Sequence, residues 1–168
     1  MKALSGIIII SLTVCITVFG QSKSFFEANY LFDIQDYELA LNKYEKSKDK
    51  KKNASIKGII VFQIAECHRN LNDTIITELY NESLILLKKR APSRTREQKY
   101  NTMKRIALCY YYLQNYEEAE LLFERCLTIQ RDDLDIVILY TGFLKTLGRK
   151  EDAERIKERF LEAIELKF

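Results

Sequence analysis

Apolar residues in this chain recur every three or four positions and are interrupted at short intervals by polar pairs, the pattern of amphipathic helices joined by tight turns. Met103, Ile106, Ala107 and Tyr110 mark one helix face. After the polar pair Gln114-Asn115, a second face follows in Ala119, Leu122, Phe123, Cys126 and Leu127. The stretch Leu108–Leu127 superposes without a gap on Gly142–Leu161 at a spacing of 34 residues, placing Leu113 on Leu147, Ala107 on Thr141, Ala119 on Ala153 and Cys126 on Phe160. The same frame takes in Ile34–Ser47, where Tyr37, Ala40 and Tyr44 stand for Tyr116, Ala119 and Phe123. A more divergent copy, Ile64–Leu84, keeps Ala65, Leu71 and Leu84 but has Thr77 at the small place.

This periodicity predicts four helix-turn-helix units, over 21–54, 58–91, 100–133 and 134–167. The small residues have a steric reason: helices that cross at close range leave no room for larger side chains, and aromatics fill the gaps beside them. No unit can bury its apolar face alone, so stability is shared along a stacked array. Composition agrees with long helices, since only five Gly and one Pro occur in 168 residues. The fold class expected is all-α, a single array spanning 21–168.

Ala107, Tyr110, Tyr116, Ala119 and Phe123 follow the order of small and aromatic places that defines the tetratricopeptide repeat. The chain resembles that family over nearly all of 21–168, although Leu31, Leu144 and Lys150 depart from the aromatic places. The resemblance implies a right-handed α-solenoid of about four repeats whose first helices line a concave groove for a protein or peptide partner. Carried over place by place, the groove comprises Phe25, Phe26, Asn29, Phe62, Gln63, Glu66, Arg69, Asn70, Lys104, Arg105, Leu108, Tyr111 and Tyr112. Tyr110, Tyr111 and Tyr112 are consecutive and cannot all face inward. Some members of the family grip a terminal carboxylate with two Lys, two Asn and an Arg. Here Asn29 and Arg105 match, whereas Phe25, Gln63 and Asn101 do not, so selectivity for an anionic group falls to Arg105, with Lys104 and Arg69. A narrower likeness, carried by Val61–Thr74 and by Ala28, Leu31, Phe32, Asp36 and Tyr37, is to the periplasmic repeat region of outer-membrane-associated proteins in the type IX secretion and gliding machinery of Bacteroidota.

The first twenty residues are a separate object. Lys2 precedes an apolar run, Gly6–Phe19, and Val18-Phe19-Gly20 stands before Gln21, as at a signal-peptidase site. An exported chain, periplasmic or on the outer-membrane side, is expected; the alternative is an uncleaved inner-membrane anchor, because Ala3–Gly20 approaches spanning length. Net charge is only +3, with acidic and basic residues interleaved, which argues against nucleic acid. Lysines nevertheless gather at Lys46, Lys48, Lys50, Lys51 and Lys52, and basic residues at Lys88, Lys89, Arg90, Arg94 and Arg96, as solvated connectors or as contacts to anionic lipid.

Catalytic chemistry has little to stand on. The lone His68 occupies a core aromatic place, and its neighbours Glu66 and Cys67 fan out by about 100° per residue, so the three cannot converge on one metal. Cys67, Cys109 and Cys126 read as buried thiols. Neither a phosphate loop nor a nucleophile elbow is present, so no catalytic, metal or cofactor site is expected. The last helix carries Ile156, Phe160, Ala163 and Ile164 along one stripe with no solvating helix after it, which predicts self-association or partner docking at that end.

Overall fold

The computed structural model describes residues 23–89 and 95–165; the leader expected over 1–20, and Arg90 and Arg94 of the second basic cluster, lie outside them. Among the described residues the chain is entirely helical: α1 (Lys23–Asp33), α2 (Tyr37–Lys48), α3 (Ala54–Asn70), α4 (Ile76–Lys88), α5 (Arg96–Tyr112), α6 (Tyr116–Ile129), α7 (Leu134–Thr146) and α8 (Lys150–Glu165). They fall into two compact units, Met1–Leu86 and Leu87–Phe168. In each unit consecutive helices pack against one another.

One turn recurs throughout. Gln35, Asn72, Gln114 and Gly148 have φ of 64°, 58°, 61° and 77°, and each is the fifteenth residue of its 34-residue segment. In every case its N–H bonds a carbonyl three residues back and the next N–H bonds one five back, as in Gln114 N to Tyr111 O (3.0 Å) and Asn115 N to Tyr110 O (2.9 Å). This left-handed cap satisfies the last carbonyls of the first helix and reverses the chain. Only Gly148 adopts the conformation without steric cost.

In the first unit the hairpin of α1 and α2 is antiparallel: Ser47 Oγ donates to Ser24 Oγ (3.0 Å) and Lys43 Nζ to Glu27 (2.6 Å). Asp36 caps α2 through the Leu39 amide, and Asn53 caps α3 through those of Ser55 and Ile56. The small residues Ala28 and Ala40 are fully or almost fully enclosed with Tyr44, Ile60, Ile64 and Cys67. Tyr44 is wholly buried, so its hydroxyl must be satisfied: it donates to Asn29 Oδ1 (2.7 Å) and accepts from Gln63 Nε2 (3.1 Å).

The second helix of the divergent copy departs from the 34-residue frame. Asp73 accepts from the Thr74 amide and pairs with His68, and α4 begins only at Ile76, four residues after the left-handed Asn72 rather than two. Its inward residues are consequently Tyr80 and Ser83, one place earlier than the frame, with Leu87 a turn further on, and Thr77 is exposed. Ser83 Oγ donates to the Gly58 carbonyl (3.0 Å), tying α4 to α3.

The second unit keeps the frame. Thr95 and Gln98 form a reciprocal capping box at the start of α5, and Asp133 caps α7 through the Ile136 amide. Ala107, Ala119 and Ala153 are all fully buried in one core with Phe123, Cys126, Ile136, Tyr140, Phe143 and Leu144. Phe123 stacks on Tyr140 at 5.5 Å, so the aromatic places do fill the space beside the small ones.

Candidate functional site

Two first helices of the second unit, α5 and α7, run side by side in the same direction. Lys104 Nζ lies 2.9 Å from Asp133 and 3.5 Å from Asp135 at one end, and the Tyr111 ring meets Phe143 at 5.7 Å at the other. Between these ties, Leu108 on α5 is half-buried against the core of the unit, and Ile138 and Gly142 stand one turn apart on α7. Ile138 is 60% exposed, and a Cβ built on Gly142 would meet nothing within 4 Å. Tyr112, half-buried, packs its ring against Tyr111 at 5.0 Å. Arg105 lies one turn before Leu108 and two before Tyr112, and it donates to the Asn101 carbonyl (3.1 Å). α7 thus exposes Ile138 and an open glycine, and the helix beside it carries aromatic and charged groups.

Ile138 and Gly142 were not among the residues expected from the sequence. The 34-residue spacing held the signal, because Ile138 is the equivalent of Lys104 and Gly142 of Leu108 in the fourth segment.

Lys104 needs correction as an anion-selecting group. Its side chain is only 16% exposed and its charge faces two carboxylates. Burial alone would raise the Asp133 carboxyl, but hydrogen bonds from Lys104, Tyr100 and the Ile136 amide together hold it below the usual carboxylate range. Tyr100 responds in the opposite sense: burial, and then donation to Asp133 at 2.8 Å, push its hydroxyl well above the ordinary value.

In the first unit the expected groove residues are spent on internal bonds. Phe62 is buried against the Tyr80 ring at 6.0 Å, and Glu66 is buried, accepting from Tyr80 Oη (2.6 Å) and Arg69 (2.7 Å). These two are interior rather than groove-facing: the Tyr80 hydroxyl from α4 supplies the partner that lets a carboxylate leave water. Asn70 Nδ2 donates to the Glu66 carbonyl, and Asn29 and Gln63 bracket the Tyr44 hydroxyl. Phe25 is buried beside Tyr44, whereas Phe26 is half-buried.

At the C-terminal helix, Ile156 is 5% exposed and belongs mainly to the core of its own unit, although it also lines the floor of the cleft beside Phe160. Phe160 is half-buried against that core, and Ile164 is half-buried. Phe160 and Ala163 line a cleft of about 410 Å³ with Leu127, Arg131 and Arg159.

His68 is half-buried, with Nδ1 2.9 Å from Asp73 at the turn between α3 and α4. The Cys67 and Cys126 thiols are pushed up to about 12 by burial, and so stay protonated at neutral pH. Among the described residues no group of three or more His, Cys, Asp or Glu gathers as a metal site, and no helix is long and apolar enough to cross a membrane. No model of a known protein family matches the chain, and no curated protein matches it.

Proposed function

We propose that this protein is an exported scaffold of the tetratricopeptide type that holds a polypeptide partner, in extended or helical form, along the α5–α7 face. The observation that carries the reading is the open stretch of Ile138 and Gly142 on α7, a helix tied to α5 by the Lys104–Asp133 and Tyr111–Phe143 contacts. A prearranged face of this kind loses little entropy on binding, and rings such as Tyr112 add contact area with few rotatable bonds. The repeat assignment is supported by the left-handed cap at the fifteenth place of each segment and by the buried alanines at the small places. The leader pattern supports export, and a cell envelope is the setting proposed.

The test is affinity capture from envelope extract with the wild-type chain and with an Ile138→Glu/Gly142→Leu variant, each eluate quantified protein by protein. A polypeptide retained by wild type and lost from the variant, with helicity unchanged, supports the assignment. Identical eluates overturn it.

A further inference from the structure

A second surface, on the first unit and independent of the α5–α7 face, follows from how the α1–α2 hairpin is closed. Ser24 at the start of α1 bonds Ser47 at the end of α2 (3.0 Å) and the Lys43 carbonyl (3.3 Å). These bonds bring the start of α1 beside the last turn of α2 and the connection leading to α3. Lys23, Lys46, Lys48, Lys50, Lys51 and Lys52 all belong to this end, against the carboxylates of Glu45 and Asp49. Six lysines against two carboxylates leave a surplus of four positive charges, larger than the +3 of the whole chain. Glu27 pairs with Lys43 at 2.6 Å and also lies 3.9 Å from Lys23, so these two lysines share one carboxylate, and counting Lys43 and Glu27 together leaves the surplus at four.

The helix explains only part of this concentration. Lys46 and Lys48 sit in the last turn of α2, where cations offset the negative end of the helix dipole, and Lys48 also pairs with Glu45 at 2.9 Å. Lys50, Lys51 and Lys52 lie beyond the helix, where that account stops. Lys46, Lys50 and Lys52 are exposed, and the N-terminus of α3 adds the positive end of a second dipole to the same region.

The position of this end in the chain says what it would face. The apolar run closes at Phe19, four residues before Lys23, and four residues span at most about 14 Å. If the run stays in a bilayer, the lysine-rich end is tethered at the lipid surface. If the chain is cut before Gln21, the new α-amino group adds one more cation to this end. We propose that the end of the first unit formed by Lys23 and Lys46–Lys52 is a docking surface for anionic phospholipid head groups.

The experiment uses the full chain and two vesicle types, neutral phosphatidylcholine and phosphatidylcholine mixed with phosphatidylglycerol. The apolar run contributes equally to both, so the quantity read is the ratio of binding to the anionic over the neutral vesicles. That ratio should be well above one, collapse in high salt, and fall about tenfold or more in a Lys50→Gln/Lys51→Gln/Lys52→Gln variant. A control, Lys145→Gln/Lys150→Gln/Arg155→Gln, removes the same charge from exposed positions of the second unit and should leave the ratio unchanged. A wild-type ratio near one, or equal losses in the two triple variants, would overturn the proposal. Neither result bears on the α5–α7 face.

Discussion

Replacing Gly142 by Ala tests the described helix and the open face above it together. A glycine inside a helix costs about 1 kcal/mol relative to alanine, because the unfolded chain has more freedom to lose. At Gly142 the added Cβ meets no atom within 4 Å and φ is not in the left-handed region, so there is no steric debit. Gly142→Ala should therefore stabilise the chain by about 1 kcal/mol and raise Tm by about 2–4 °C for a protein of this size. Gly142→Leu should keep most of that gain, since leucine is nearly as good a helix former, while filling the space left for a partner. Thermal and urea unfolding followed by circular dichroism measure the first effect, and partner capture measures the second. A destabilised Gly142→Ala would refute the reasoning, because something would then have to occupy the space over the helix.

Three further outcomes follow from the same geometry. Gln114→Gly should stabilise by about 0.5–1 kcal/mol and Gly148→Ala destabilise by a similar amount, because both positions sit in the left-handed region; unfolding curves that shift in the same direction would contradict the shared turn. Asp133→Asn bears on pH. The folded carboxyl is held below its unfolded value, so its contribution is present above about pH 4 and is lost as pH falls through the lowered value. The variant should thus show a flatter decline of stability below pH about 4 than wild type, read from urea midpoints across that range. Ala119→Leu forces extra volume into a fully enclosed site and should cost about 1–3 kcal/mol by urea unfolding, whereas Leu121→Ala on the exposed side of the same helix should cost little.

The hairpins were legible in the sequence because two independent signals coincide at each turn. Apolar spacing stops, and a residue tolerant of the left-handed region, or simply a polar one, stands at a constant place in the 34-residue frame. The register of α4 was not legible. It depends on Asp73 bonding His68 and the Thr74 amide, a local competition that delays the helix and that periodicity alone does not register. The stripe on α8 was read correctly as apolar, but spacing says that a face is buried and not against what. Ile156 turned out to face its own core. Glu66 makes the same point from the polar side: its interior position depends on the Tyr80 hydroxyl, contributed by the one helix whose register was misjudged. Of the groove residues taken from family places, Leu108, Tyr111 and Tyr112 on α5 stay half-buried, with the Tyr111 ring against Phe143 of α7. Those on α3 fared worst, because that helix is covered on several sides and buries six apolar residues between Ile60 and Cys67.

The central claim, a polypeptide held along α5 and α7, is tested most directly by placing a photo-crosslinking side chain at Ile138 and, separately, at Leu121, which is 70% exposed on α6. Irradiation in living cells should join the chain to a discrete polypeptide through position 138 and not through 121. Crosslinks of equal yield at both positions, or a discrete partner found only through 121, would contradict the account.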